Sequence, residues 1–525
     1  MENIQLISTN DIWLDSGLEH LYRLLQDCEG ISKLEMAENG ILFKLNDKEK
    51  FSKNLAKQLF KVRDNLYLTT ESGRLTTQII RQILLWDWIN YRGLGGIYVK
   101  NYKQGNNFVE GNLIIDKICK EYIEAISYNG PINNPCPLCG EQITTIRNMT
   151  QNTYPLSTKS ENLSKVKGMS LYGYNSICTR CYLYGQLAIG DPLLLNNGEQ
   201  KGGWKEKYCD IFLPNCRSLE ELKETKEKFM YFIKQGDFRG NIGFSPREEK
   251  EKFITPFDNY SALLQIYNHF INYMVERKKE GFKFETRLLA LNWIILSLKK
   301  SGKTMIKTYE IDVSHETVDL MWNLQNREGI NLYADVINNI VDINKKDNDQ
   351  KFAPAKALAK AIITDNLSVF VESVIPKGNR NILVKCGKDT EYGLYKLYIL
   401  INYWRLNKMN LNKEEQELLK EWGEALASIC ANKKTFVYRL DKKRRFEDFI
   451  ETLKDIIVYT MGKTHKVNVE EKPYYLPYDY KKEGQNVNKD ILNLFITHKN
   501  DWEELKNIFV AYLALNTHIK SYKNK

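Results

Sequence analysis

Cys136-Pro137-Leu138-Cys139-Gly140 and its echo, Cys178-Thr179-Arg180-Cys181, decide how the rest of the chain is read. A Cys-x-x-Cys turn sets two thiolates on one side of a tight loop, and two such turns complete a tetrahedral metal site. Pro135, Pro137 and Gly140 suit a chain that must reverse sharply around sulfur. Four soft thiolates favour zinc over magnesium, calcium or manganese, and they leave no open position for water. The expected ion is a structural Zn2+ held by Cys136, Cys139, Cys178 and Cys181. Two disulfides, or thiols that bind nothing, are the competing readings. Between Cys139 and Cys178 lie 38 residues, against roughly 15–20 in an ordinary zinc ribbon. The metal therefore closes a long excursion, and Cys178→Ser is expected to lose the ion and loosen this insert more than the rest of the fold.

Outward from that stretch, the composition is that of a globular protein, with 43% hydrophobic and 12% aromatic residues among 525. A chain this long implies about two to four domains. The net charge of +10 suits a partner that carries phosphates. The excess is spread along the chain, however, and many basic proteins bind no nucleic acid. Cys28, Cys119, Cys209, Cys216, Cys386 and Cys430 are scattered in mostly apolar surroundings and read as reduced core residues. Met1–Asn10 lacks a basic-then-apolar signal, and the longest apolar run, near Leu288–Leu298, is too short to span a bilayer. The expectation is a soluble, cytoplasmic protein with no membrane partner.

The expected fold is an α+β N-terminal region with an inserted four-cysteine zinc module, followed by an all-α C-terminal helical bundle. Its parts are residues 1–133, the zinc insert at 134–190, the remainder of the N-terminal region at 191–345, and the bundle at 352–525. The polar run Val341–Lys351 marks the boundary. Apolar periodicity predicts helices over Ile12–Gln26, Lys48–Leu66, Leu75–Tyr91 and Leu219–Lys234. Asn39-Gly40 inside Ile31–Leu45 predicts a hairpin with a type I′ turn. Helices of the bundle are expected from Pro354 and at Thr390–Leu406, Lys413–Cys430, Thr435–Thr460 and Asp490–Ile519.

Four basic stretches are candidates for touching nucleic acid. Arg92, Lys100 and Lys103 flank a glycine-bearing segment, and Lys165 and Lys167 lie in the polar loop between the cysteine pairs. Arg239, Asn241 and Arg247 sit in a glycine-rich stretch, where arginine pairs with guanine and neighbouring phenylalanines wedge or stack on bases. Lys442, Lys443, Arg444 and Arg445 are consecutive. Each has a plainer alternative as a surface turn or a solvated charged face. Ser301-Gly302-Lys303-Thr304 imitates the end of a phosphate-binding loop, but Ser297 stands where the first glycine belongs. A helix terminus with a basic tail is the expected explanation. The six histidines occur singly, with no catalytic cluster. The chain thus reads as a non-enzyme, with a nucleic-acid-processing enzyme or a free-standing DNA-binding protein as alternatives.

Pro135–Gly140, the polar insert, and Gly173-Tyr174-Asn175-Ser176-Ile177-Cys178-Thr179-Arg180-Cys181 resemble the CXXC–CXXC family of CRISPR-associated proteins. These are large subunits of the type I-B and related I-A Cascade surveillance complexes. The likeness in plan covers most of the chain, while only the cysteine stretch is motif-like. The resemblance implies a non-catalytic subunit that recognises the target-flanking motif (PAM) in double-stranded DNA and stabilises the R-loop. It also implies partners: CRISPR RNA, target DNA, the repeat-binding backbone and 5′-handle-binding subunits, a small helical subunit, and a recruited helicase-nuclease. In some such systems a small subunit of similar sequence arises by internal translation, and Met409 is the expected start of such a product.

Overall fold

Buried Ile4 and Leu6 alternate with Asn3, Gln5 and Ile7 along β1 (Glu2–Ile7), the period of a half-buried strand. The chain is described from a computed structural model over residues 2–67, 123–125, 127–128, 130–144, 147–149, 154–155, 176–191, 193–201, 206–235, 257–279, 291–301, 303–385, 390–409, 411–464 and 491–523. It divides into two units, Met1–Thr255 with Leu291–Ile311, and Pro256–Ala290 with Asp312–Lys525.

In the first unit, α1 (Ile12–Gln26) follows β1, and its N-cap Asp11 accepts hydrogen bonds from the Trp13 and Leu14 amides. β2 (Ile31–Ala37) and β3 (Gly40–Leu45) complete an antiparallel sheet in the order β1-β3-β2. The expected hairpin is present, but its two-residue turn is Glu38-Asn39, with Ala37 opposite Gly40. A type I′ turn needs positive φ at both central residues, and outside glycine only Asn10 and Asp365 have it among the described residues. Gly40 serves the ladder instead, since a Cβ there would lie 2.2 Å from the Leu6 carbonyl oxygen. α2 (Lys48–Tyr67) places Phe51 and Leu55 against the same core.

A two-residue ladder of β4 (Arg147–Asn148) and β5 (Ser176–Ile177) leads into α3 (Thr179–Ile189). A second sheet follows in the order β6 (Leu195–Lys201), β7 (Glu206–Pro214), β8 (Leu291–Ser301) and β9 (Lys303–Val313). α4 (Leu219–Gln235) lies between β7 and β8 in sequence. The described part of that apolar run, Leu291–Leu298, is thus a strand, not a helix ending in a basic tail. A short apolar run suits either, and the ladder from Lys207 opposite Lys300 to Pro214 opposite Trp293 decides. Ser301 closes one strand and Lys303 opens the next, whereas a phosphate-binding loop leads from strand to helix.

The second unit is largely helical: α5 (Asn259–Lys279), α6 (His315–Glu328), α7 (Asn348–Lys351), α8 (Ala353–Ile363), α9 (Leu367–Val374), α10 (Thr390–Trp404), α11 (Lys413–Cys430), α12 (Thr435–Asp441), α13 (Phe446–Thr464), α14 (Ile491–Thr497) and α15 (Trp502–Lys523). It is not purely α, because β10 (Ile340–Asp342) pairs antiparallel with β11 (Ile382–Val384). Val341–Lys351 therefore runs inside this unit. Its polarity is structural: the buried Asp342 carboxylate accepts from the Asn381 and Asn344 amides. Every residue from Ile508 to Ile519 is buried, making α15 the central helix. Gly423 lets α11 approach it, since a Cβ there would lie 2.9 Å from the Tyr512 Cβ.

The helix expected at Thr435–Thr460 is two helices, and Lys442–Arg445 form the turn between α12 and α13. The Lys443 carbonyl there receives the Lys506 ammonium at 2.9 Å.

His518 is buried near the end of α15, 2.8 Å from the Val374 carbonyl oxygen. That oxygen only accepts, so the facing Nε2 carries the hydrogen, and Nδ1 has no partner among the described residues. A second proton would thus have no acceptor. Burial holds the pKa down to about 4, from 6.5. Because the folded value lies below the unfolded one, stability is complete above about pH 6.5 and falls as the pH drops toward 4, by about 3 kcal/mol. His518→Gln keeps one N–H for Val374 and should remove this component. Denaturant unfolding at about pH 7 and about pH 4.5 checks it, as a smaller pH difference in the variant than in the parent.

Candidate metal centre

The first cysteine pair is shaped by its backbone. The Cys136 amide donates to the Glu141 carbonyl at 2.7 Å, and the Gly140 amide to the Cys136 carbonyl at 2.8 Å. Gly140 takes φ +75, a left-handed conformation that suits glycine. The Gln142 side-chain oxygen accepts from the Asn133 and Asn134 amides, holding the entry to the turn. In the second pair Cys178 is the N-cap of α3, and its Sγ accepts from the Cys181 amide at 3.3 Å. Sulfur here takes the place of the usual capping oxygen. The Cys178 amide donates to the Cys136 Sγ, also at 3.3 Å. Arg180 straps the pairs together, 3.5 Å from Glu141 and bonded to the Ala125 carbonyl.

These turns bring the four sulfurs together. Cys136 and Cys181 Sγ are 3.9 Å apart, Cys139 and Cys178 Sγ 3.6 Å, and all four lie within 4.8 Å of one another. Sulfurs about 2.3 Å from a central zinc stand about 3.8 Å apart at tetrahedral corners, so the donor set fits a metal ion. All four are free cysteines in this structure. Sharing with its neighbours pushes the Cys136 thiol down and those of Cys178 and Cys181 up. Four thiolates this close would repel one another, and a bound cation would offset that repulsion. Among the described residues, no other group of three or more such side chains converges.

The site is not a separate module. Cys136, Cys178 and Cys181 belong to the same buried core as Trp13, Leu18, Leu21 and Phe43. α3 crosses α1 so closely that a Cβ on Gly17 would fall 1.8 Å from the Tyr184 carbonyl oxygen. His20 Nδ1 faces the Leu187 carbonyl at 2.8 Å. Tyr154 donates to the capping Asp11 at 2.6 Å.

Beyond α3 lies a buried quartet of charges. Arg23 makes two bonds to Glu19, at 2.7 and 2.9 Å, and a third to Asp191 at 2.7 Å. Lys226 reaches Asp191 at 2.7 Å, Glu19 at 2.9 Å and the Ser16 hydroxyl at 2.9 Å. Burial alone would raise the Asp191 carboxyl, but Arg23 and Lys226 outweigh it and hold the group well below the usual carboxylate range. Two cations and two carboxylates close the quartet without excess charge, tying α1, the end of α3 and α4.

Of the expected nucleic-acid residues, Lys442, Arg444 and Arg445 are exposed and Lys443 is half-buried. Lys442 lies 3.5 Å from Asp441, while neither Arg444 nor Arg445 is in an ion pair among the described residues. Arg92, Lys100, Lys103, Lys165, Lys167, Arg239, Asn241 and Arg247 lie outside the described residues. Lys506 joins the cluster from α15. Burial, then Arg444, lowers its pKa, and no sequence signal marks a lysine in so apolar a helix. No helix among the described residues is long and apolar enough to cross a membrane. Neither a protein-family model nor a curated protein matches the chain.

The shared core changes what metal loss should do. Cys178→Ser is now expected to raise amide exchange in α1 and β3 as well as in the insert, checked by hydrogen-exchange mass spectrometry. Exchange confined to residues 134–190 would restore the separate-module reading. Lys226→Met leaves Glu19 and Asp191 sharing Arg23 alone and should destabilise the first unit by about 3–5 kcal/mol. Chemical denaturation of this variant measures that cost.

Proposed function

We propose that the chain is the non-catalytic large subunit of an RNA-guided CRISPR surveillance complex, holding one structural Zn2+ and contacting target DNA. The observation that carries this reading is the convergence of Cys136, Cys139, Cys178 and Cys181 in a mixed α/β N-terminal half, ahead of a helical part. The sequence resemblance implies that plan. A four-thiolate site fits zinc best and leaves no coordination position for substrate. Bound zinc would supply a rigid cross-link and screen the crowded thiolates; Cys178 and Cys181 fix the start of α3 against it.

Lys442–Arg445 are the described residues best suited to phosphate. They precede α13, whose first-turn amides favour an anion although Glu447 and Asp448 lie in the same turn. Such contacts position a nucleic-acid backbone without reading sequence. PAM recognition, R-loop stabilisation and helicase-nuclease recruitment belong to the assembled complex in this reading, in the prokaryotic cytoplasm.

Affinity purification of the full chain from cells carrying a CRISPR array tests the proposal. CRISPR RNA and repeat-binding subunits should come down with it, with about one zinc per chain. Chain that carries neither would overturn it. In the assembled complex, Lys442→Glu, Lys443→Glu, Arg444→Glu and Arg445→Glu together should weaken binding to all DNA sequences alike. They should also reduce the slope of log affinity against log salt by about 0.7–0.9 per lost phosphate contact. An unchanged slope would return the cluster to a solvated face.

A further inference from the structure

The four sulfurs are not equivalent. Cys136 accepts the Cys178 amide and Cys178 accepts the Cys181 amide, each at 3.3 Å. Among the described residues no backbone N–H reaches the sulfur of Cys139 or of Cys181. Of that second pair, Cys181 is fully buried, whereas Cys139 is half-buried. Cys139 is therefore the one sulfur of the site that combines solvent access with freedom from N–H donors. Both features raise thiolate reactivity, since a hydrogen bond to sulfur withdraws electron density and burial excludes the reagent. The Cys178 sulfur lies 3.6 Å from it, and all four sulfurs lie within 4.8 Å of one another.

We infer that Cys139 is a modification site, the position at which hydroperoxides and soft electrophiles attack the centre, with Cys178 as the resolving thiolate. With hydrogen peroxide, the Cys139 thiolate attacks one oxygen, forming a sulfenic acid and releasing hydroxide, which takes a proton to become water. The Cys178 thiolate then attacks the sulfenic sulfur, forming the Cys139–Cys178 disulfide and releasing a second hydroxide, likewise protonated. Two electrons pass from the two thiolates to one peroxide, which ends as two waters. Cys136 and Cys181 alone do not complete a four-thiolate site, so the ion leaves. The same event draws the sulfur that caps α3 into a disulfide and weakens it as an acceptor for the Cys181 amide. Opening of the metal centre is thereby transmitted to the α1–α3 crossing.

The inference rests on the metal reading, and the experiment separates the two. Zinc in the full-length chain is measured first, by elemental analysis. The chain is then titrated with hydrogen peroxide or N-ethylmaleimide while zinc release is followed with a colorimetric chelator. Thiols are mapped by alkylation and mass spectrometry. The expected result is one zinc lost per Cys139–Cys178 disulfide, with Cys139 the first of the four alkylated by maleimide.

Cys139→His keeps a competent ligand, because Cys3His sites hold zinc, and removes the reactive sulfur. It should retain the ion and release it more slowly with peroxide. A first disulfide between Cys136 and Cys181, first alkylation at any of the other three, or equal release rates in Cys139→His and the parent would overturn the assignment. Chain purified without zinc counts against the metal reading, while the order of alkylation still decides the role of Cys139.

Discussion

Helix α3 begins on a sulfur. Cys178 both caps its first turn and belongs to the four-thiol cluster, and Cys181 follows within that turn. Everything around it is arranged to hold that helix at both ends. Its far end passes into Asp191, neutralised by Arg23 and Lys226, and its middle lies on Gly17 with no room for a methyl group. Removing any one constraint leaves a buried charge unpaired, a four-sulfur cluster incomplete, or a helix start without its cap. Their costs therefore combine cooperatively, as they do for neighbouring buried groups generally.

This explains how so long an excursion is tolerated between the two cysteine pairs. Loop-closure entropy grows only as the logarithm of length, so a doubled loop costs about 0.6 kcal/mol more. What matters is that both ends return to a rigid place, which the crossing of α1 and α3 provides. The quartet also shows why a buried ionic network can sit beside the four-cysteine cluster without conflict. Its own charges cancel, and their partners lie within hydrogen-bonding distance.

Local patterns were legible in the sequence and long-range ones were not. The periodicity of Ile12–Gln26 matches α1 to the residue, and Leu219–Lys234 stops one residue short of α4's end. The four cysteines converge as their spacing implied, because each Cys-x-x-Cys turn is fixed by a handful of adjacent residues. Arg23 and Asp191 are 168 positions apart, and Lys226 and Ser16 are 210. No periodicity announces such pairs. The glycines misled in the opposite direction. Gly40 was read for a turn and Gly17 not at all, yet each stands where another backbone comes too close for a side chain. In β8 the four consecutive apolar residues Trp293–Leu296 fit helix or strand alike, and only the neighbouring β7 settles the matter.

The all-round burial of α15 bears on how small a self-sufficient piece of this protein could be. A product starting at Met409 would contain that helix but not α9, β11 or α10. Asn516 would lose the Tyr398 hydroxyl, 2.7 Å away, and His518 the Val374 carbonyl. Apolar surface that the intact unit hides would face water, inviting self-association. An independently translated segment with its own solubility would have to reach back at least to Leu367. Otherwise it would need to find on another molecule the surface that this chain supplies to itself.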